Sequence, residues 1–177
     1  MLFLCVLVSL VPTLFQTAHN MDSTDSFATT NAQDQTEASA LKARLAQQSQ
    51  RDSFGHHGSF RPVKPVQIDP GAHKYVLICA RAPTNDGQDR YFVTSKRGAS
   101  YHRDVAAPFV QELEEHGYQH IQIVGGGRIN LDNDAKKISI FGFSYGFGQP
   151  DHDISKRVVH TDSRYADYDI TTSNEGY

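Results

Sequence analysis

A histidine at the predicted start of a helix is the strongest candidate for chemistry in this sequence. His102 follows Tyr101 and precedes a stretch from Asp104 to His116 in which apolar residues recur at helical spacing. The positive end of a helix dipole favours a neutral imidazole, and a neutral imidazole can accept a proton or attack phosphorus. The alternative interpretation of this segment alone is a surface histidine at a helix entrance.

Two glycine-rich segments are candidates for binding an anion. Gly125-Gly-Gly127 follows a predicted strand and precedes Arg128, whose guanidinium could complement a phosphate group. Residues 143–148 run from a predicted strand into a loop that can present backbone N–H groups and the Ser144 hydroxyl. Either segment could instead be a simple turn, since glycines often serve only to turn the chain.

The composition excludes several other classes of function. The sequence has no Walker A motif, no dinucleotide-binding glycine pattern and no His-Glu-x-x-His pair. Its two cysteines, Cys5 and Cys79, provide neither a disulfide framework nor zinc-ligand spacing. The net charge of −3 gives no general attraction to nucleic acid or to an anionic membrane. We therefore expect no metal, no cofactor, and neither nucleic acid nor membrane among the partners.

The N-terminal third differs in composition from the rest of the chain. Residues 1–18 form an apolar leader that is too short to span a membrane and is either a signal peptide or an alternative start. Residues 19–61 are rich in Gln, Thr, Ser and Ala, so we expect this segment to be largely disordered. Within it, residues 37–48 have the helix propensity for a transient helix.

Residues 62–177 have the pattern of one folded domain. Apolar runs predict six short strands, near 66–68, 73–81, 90–95, 120–124, 137–143 and 168–172. Two helices are predicted, one capped by Asp104 and a second that begins at Asp151. The fold class that follows is α/β (α+β), a single domain with a mixed sheet of about six strands flanked by two α-helices.

Several segments of this domain together resemble the janus/ocnus family, which includes phosphohistidine phosphatases. Their order and spacing agree with the family from about Val66 to the C-terminal end. The segments are Lys74-Tyr-Val-Leu-Ile78, Tyr101-His102, Gly125-Gly-Gly-Arg-Ile129, Lys136-Lys137, Gly142-Phe-Ser-Tyr-Gly-Phe-Gly148, Asp151-His152, and residues 168–177 with their ending Asn174-Glu-Gly-Tyr177.

The resemblance implies a protein histidine phosphatase that hydrolyses phosphohistidine without a metal or cofactor. It implies that His102 is the catalytic residue, as a general base on water or as the nucleophile. It also implies that Lys74 binds the substrate phosphate. The loop residues Ser144, Tyr145 and Gly146 are implied to bind the same phosphate. The implied partners are phosphohistidine-containing proteins.

The same resemblance leaves a second function open. The chain could be a catalytically weak regulatory protein of sex differentiation or testis that keeps the phosphate-binding fold. Thr94 favours this alternative, because the mammalian enzymes carry an Arg-Gly step there, whereas His102 and Lys74 favour the enzyme. The domain favours a cytoplasmic monomer, and a functional signal peptide would instead direct secretion.

Overall fold

The structure, a computed structural model, describes residues 32–51, 60–84 and 87–174. The leader predicted over residues 1–18 lies outside these ranges, so its nature stays a prediction. Within the described ranges, no helix is both long enough and apolar enough to cross a membrane.

A mixed sheet of six strands forms the centre of the domain. The strands are β1 (Val66–Gln67), β2 (Gly71–Arg81), β3 (Asp89–Ser95), β4 (Gln119–Asp132), β5 (Lys137–Phe141) and β6 (Asp169–Ser173). Their order across the sheet is β1-β3-β2-β4-β5-β6. The four central strands pair antiparallel, and the two outer strands run parallel to their neighbours. The predicted fold class, with its mixed sheet of about six strands, is confirmed.

Three α-helices and a short 3₁₀ helix cover the two faces of the sheet. They are α1 (Ala32–Arg51), α2 (His102–Glu115), α3 (His152–His160) and the 3₁₀ helix Ser163–Tyr165. Alternate residues of β2 supply two separate hydrophobic cores, because side chains of a strand alternate between faces. Val76 and Ile78 pack with α1 and α2, and Leu77 packs with α3. We call these two sides of the sheet the α2 face and the α3 face.

The first residues of α2 differ from the prediction in a way that matters for the site. The helix begins at His102 rather than at Asp104, and Tyr101 occupies the cap position. Asp104 lies in the first turn, where its carboxylate accepts a hydrogen bond from the Tyr101 N–H at 2.9 Å. The predicted capping residue therefore reaches back to the helix start, as the third residue of a capping box does.

The three consecutive glycines lie inside a strand. Sequence analysis placed the end of the strand at Val124, but β4 continues through Gly125, Gly126 and Gly127 as far as Asp132. The register with β2 shifts between Leu77 and Ile78, and this irregularity accommodates one extra residue in β4. The glycines thus serve close approach of neighbouring groups, as described below, rather than a reversal of the chain.

Helix α1 contradicts the expectation that residues 19–61 are largely disordered. Instead of a transient helix over 37–48, the structure has a helix of 20 residues. Its buried or partly buried positions 34, 37, 38, 41, 45, 48 and 49 follow helical spacing and form one stripe. Only three of these residues are apolar, so most of the stability of α1 comes from its packing against the domain. The predicted disorder of residues 19–31 and 52–59 lies outside the described residues.

Candidate functional site

His102, the first residue of α2, lies against the glycine segment of β4. Its side chain is only 3% exposed. A Cβ added to Gly126 would lie 2.8 Å from His102 Cδ2 and 3.1 Å from Ser144 Cβ, so a side chain at this position would displace them. Glycine in the strand therefore provides the space in which the imidazole and the loop beside it fit.

The protonation state of His102 follows from its one hydrogen bond. The ring atom Nε2 lies 2.9 Å from the carbonyl oxygen of Gly127. A carbonyl can only accept, so Nε2 carries the hydrogen and donates it. In a neutral imidazole the other nitrogen, Nδ1, then has a lone pair available for chemistry.

The surroundings of His102 keep the ring neutral. Burial is the main cause that lowers its pKa, to about 4, and the positive charges of Lys74 and Arg128 lower it further, against the opposing effect of the Gly127 carbonyl. No hydrogen bond from a residue in the described ranges reaches Nδ1.

Two cations lie next to this histidine on the same face of the sheet. Lys74 on β2 is directly opposite Arg128 on β4. The next pair on the same face of the sheet is Val76 with Gly126, because the pair between them faces the other side. Burial lowers the pKa of Lys74, and the charge of Arg128 lowers it further. Like charges directly opposite on paired strands are destabilising, so this arrangement is suited to an anion between or above them. Sequence analysis noted Arg128 but did not include it among the site residues.

The loop between β5 and α3 is fixed against the same glycine segment. Ser144 and Gly148 exchange backbone hydrogen bonds of 3.3 and 2.7 Å, and the Gly126 N–H donates to the Gly148 carbonyl at 3.1 Å. Ser144 is 2% exposed and lies beside His102. The Tyr145 side chain is 57% exposed and stacks edge-on against Phe143. The structure thus brings Ser144 to His102 and holds the Tyr145 ring at the surface.

Residues 142–146 also match the Gly-x-Ser-x-Gly pattern of many serine hydrolases. In that class the serine hydroxyl is hydrogen-bonded to a histidine that acts as its base. Here the Ser144 Oγ instead accepts a hydrogen bond from the Phe147 N–H at 3.2 Å. The pattern therefore stabilises the loop, and His102 is the better candidate for the reacting group.

Helix α1 lies over this site, which no feature of the sequence analysis predicted. A Cβ added to Gly146 would lie 2.7 Å from the Cβ of Ala38, so the helix packs directly on the loop. Arg103, the neighbour of His102, forms ion pairs with Asp34 and Glu37 of α1. The available signal was the spacing of Asp34 and Ala38 with the apolar residues that follow, which places them on one helical face.

No metal centre is evident in the part of the chain that the structure describes. No group of three or more His, Cys, Asp or Glu side chains there is arranged to hold an ion. The positive charges of Lys74 and Arg128 occupy the position beside His102 instead.

Comparison with known proteins gives this arrangement a family. The sequence profile of the Janus/Ocnus family matches residues 60–169. The chain is 34% identical over 120 residues to the 14 kDa phosphohistidine phosphatase of Sus scrofa, an alignment that covers 65% of this chain and 93% of that protein. The Homo sapiens protein of the same name is 31% identical over 120 residues, covering 65% and 94%.

The matches also include fly proteins whose names refer to sex regulation. The sex-regulated protein janus-B of Drosophila teissieri is 35% identical over 111 residues, covering 62% of this chain and 76% of that protein. The matched region of the family profile contains β1 to α3 and every element of the site except α1. The chain therefore belongs to the Janus/Ocnus family.

Proposed function

We propose that this chain is a protein histidine phosphatase that hydrolyses phosphohistidine without a metal, with Nδ1 of His102 as the reacting nitrogen. The observation that carries the proposal is Nδ1 of a neutral imidazole, to which no described residue forms a hydrogen bond, next to the cation pair Lys74 and Arg128. The names of the pig and human relatives support the same activity. The substrates proposed are proteins that carry phosphohistidine.

Binding of the phosphoryl group falls to the cation pair and to the loop. Lys74 and Arg128 supply positive charge on the face that His102 occupies, and their mutual repulsion is relieved when an anion binds. The backbone N–H groups of Tyr145 and Gly146 and the Ser144 hydroxyl belong to the loop beside His102, while the Ser144 N–H donates to the Gly148 carbonyl and its Oγ accepts from the Phe147 N–H. Fixed donors and cations of this kind stabilise the charge that spreads over the transferring phosphoryl group.

The reaction consumes one water molecule by either of two routes. In the first, the Nδ1 lone pair attacks phosphorus and the P–N bond of the substrate breaks. The electron pair of that bond stays on the substrate nitrogen, which takes a proton, and water then releases phosphate from His102. In the second, Nδ1 accepts a proton from water while that water attacks phosphorus, the P–N bond breaks with its electron pair on the substrate nitrogen, and His102 returns the proton to that nitrogen. The P–N bond is labile, so positioning and charge stabilisation suffice in place of a metal.

Hydrolysis of a phosphohistidine peptide by the purified full chain, in buffer containing a chelator, tests the proposal. His102→Ala should lower kcat/KM by about 10²–10⁴-fold, because the reacting nitrogen is lost. His160→Ala, a change at an exposed histidine, and Ser144→Ala, which tests the serine-hydrolase pattern, should retain turnover. Quenching with alkaline detergent during turnover separates the two routes, since only the first yields phosphorylated His102, whose P–N bond survives in base and is hydrolysed in acid. Equal activity of the wild type and the His102→Ala variant would refute the proposal.

The second candidate is a catalytically weak regulatory protein that keeps the phosphate site. The observation that favours it is the cover over His102, together with the janus relatives. In that case inorganic phosphate binds to the wild type and not to a Lys74→Met variant, while no variant hydrolyses phosphohistidine. The half-buried free thiol of Cys79 and the size of the domain favour a cytoplasmic monomer for either function.

A further inference from the structure

We propose that helix α1 is a built-in inhibitory cover of the phosphate site, and that its carboxylates Asp34 and Glu37 take the place of the substrate phosphoryl group. This inference concerns the regulation of the site and rests on the proposed function. It adds to the family domain a segment that lies outside the region matched by the family profile.

The first observation is where the negative charges of α1 are placed. Asp34 is 3% exposed, and a carboxylate is rarely buried so deeply unless positive charge compensates it. Its Oδ1 lies 3.3 Å from Nε of Arg103, and Glu37 forms a second ion pair with the same guanidinium. The acidic end of α1 therefore binds to the residue that directly follows His102.

Lys74, one of the two cations of the phosphate site, lies close enough to Asp34 for the two charges to influence each other. Burial is the main cause that raises the pKa of Asp34, while the charges of Arg103 and Lys74 oppose it and that of Asp104 adds to it. Conversely, Asp34 is one of the charges that raise the pKa of Lys74 against the effects of burial and Arg128. Asp34 thus already neutralises part of the positive charge that a phosphate would use.

The second observation is steric. His102 is 3% exposed, and the loop that lies beside it is covered by Ala38 of α1 at Gly146. In an in-line attack, the phosphorus of a protein phosphohistidine must come within about 3–3.5 Å of Nδ1, on the side opposite the P–N bond that breaks. The packing of α1 on the loop beside His102 therefore restricts the approach of a substrate protein to that nitrogen.

The third observation is that the attachment of α1 is suited to release. Ala38 and Leu45 are buried in the core of the α2 face and Leu41 packs against it, whereas the contacts of the C-terminal half also include polar ones near the surface. Arg44 pairs with Glu114 at 2.8 Å, and the Ser49 hydroxyl lies 2.7 Å from Nδ1 of His120. Exposed ion pairs of this kind contribute little and weaken with salt. A phosphorylated partner that competes for the cations therefore has to displace a helix whose polar contacts with the domain are weak.

Two variants of the full chain release α1 from opposite ends. Leu45→Glu removes the apolar anchor without changing any charge near His102, and Asp34→Asn with Glu37→Gln removes the two carboxylates. Gln47→Glu is the matched control, because it adds the same charge at an exposed position of the same helix. Hydrogen exchange of residues 32–51 reports release, and two further measurements report access to the site: the affinity for inorganic phosphate and kcat/KM for a phosphohistidine protein.

We expect both release variants to speed exchange in α1, to bind phosphate more tightly and to raise kcat/KM by about tenfold or more, because apparent affinity scales with the open fraction. Gln47→Glu should match the wild type. A synthetic peptide of residues 32–51 should inhibit the Leu45→Glu variant competitively. Faster exchange in α1 with unchanged phosphate affinity and turnover would overturn the inference.

The failure of each proposal has its own signature. If release tightens phosphate binding but no variant hydrolyses phosphohistidine, the cover stands and the phosphatase proposal fails. If every variant hydrolyses the substrate at the rate of the wild type, the phosphatase stands and the cover fails. Circular dichroism shows whether Leu45→Glu is folded, and the carboxylate variant decides if it is not.

Discussion

His102 and His152 occupy matching positions on opposite faces of the sheet, and only one of them is suited to chemistry. Each is the first residue of a helix, and they are 3% and 5% exposed. Each lies within hydrogen-bond distance of a glycine carbonyl through Nε2, Gly127 at 2.9 Å and Gly142 at 3.0 Å. Burial lowers the pKa of both rings.

The two histidines differ in what the second nitrogen meets. Nδ1 of His152 accepts a hydrogen bond from the Tyr75 hydroxyl at 2.8 Å, and that hydroxyl lies 3.2 Å from Ser155 Oγ. Every polar atom of the His152 ring is therefore satisfied, as expected for a structural group. Nδ1 of His102 has no such partner among the described residues, and two cations lie nearby. Burial is common to both histidines, so the second ring nitrogen is the feature that distinguishes them and that supports the role proposed for His102.

Replacing His102 with alanine should mainly lower activity, and replacing His152 with alanine should mainly lower stability. His102→Ala should cost about 10²–10⁴ in kcat/KM and change stability less, because its Nδ1 has no partner to lose. His152→Ala should lower the free energy of unfolding by about 1–3 kcal/mol, since the Tyr75 hydroxyl and the Gly142 carbonyl lose a buried partner. Steady-state kinetics and urea unfolding measure the two effects. A larger loss of kcat/KM in a folded His152→Ala variant would contradict the comparison.

Acid should destabilise the fold through the same two rings. The unfolded chain binds more protons than the folded chain between the ordinary histidine pKa of 6.5 and the folded value of about 4 for His102. The stabilisation by a neutral His102 is therefore complete above pH 6.5 and is lost as the pH falls toward 4, up to about 3 kcal/mol. His102→Gln should flatten the pH dependence of unfolding in this window, measured by urea denaturation. An unchanged slope would show that His102 is not buried in solution.

A methyl group at Gly126 should affect the α2 face more than the α3 face. The added Cβ lies 2.8 Å from His102 Cδ2, so Gly126→Ala should shift the imidazole and lower kcat/KM by about 10²-fold. Val124→Ala, an exposed position of the same strand, is the control and should keep its activity. Nuclear magnetic resonance of the two imidazoles should show a change for His102 and little change for His152. A larger change at His152 would reverse the assignment of the two faces.

The cation pair should show activity and stability moving in opposite directions. Arg128→Met should raise KM for the phosphohistidine substrate by about tenfold, because one phosphate-binding charge is lost. The same change should leave stability unchanged or raise it by about 0.2–1 kcal/mol, since it removes repulsion with Lys74. Lys137→Met, at an exposed cation on the next strand, is the control. A lower KM in Arg128→Met would show that the pair does not bind the phosphate.

The strands and two of the helices could be predicted from the sequence because their signals are local. The apolar run of β2 and the periodic residues of α2 identify their elements without knowledge of the partners. The helix α1 could not be found in this way, because three apolar residues on a narrow stripe do not outweigh a polar composition. Its helical state depends on packing of Ala38, Leu41 and Leu45 against the domain and on ion pairs with α2, which only the tertiary structure shows.

The site was predictable to the extent that residue type and position carry the chemistry. His102 stood out through its helix start, and the resemblance to the family indicated Lys74 and the loop. The role of Gly125 to Gly127 was ambiguous, because glycine accompanies both a turn and a close approach. The surroundings of His102 Nδ1 and the ion pairs of Arg103 depend on distances between residues far apart in the chain. Sequence patterns do not show these distances.

The three glycines of β4 also bear on how much the chain can vary. A side chain at Gly125 would meet the backbone of Pro150 at 2.5 Å, and one at Gly127 would meet the Phe141 carbonyl at 2.6 Å. The Gly127 carbonyl also accepts the hydrogen bond from His102. A Cβ added to Gly127 would lie close to the Gly142 carbonyl, which accepts the hydrogen bond from His152. The three adjacent glycines thus constrain the packing on both faces of the domain. Random mutagenesis should therefore find almost no tolerated replacement at these positions, whereas the neighbouring Val124 should accept many.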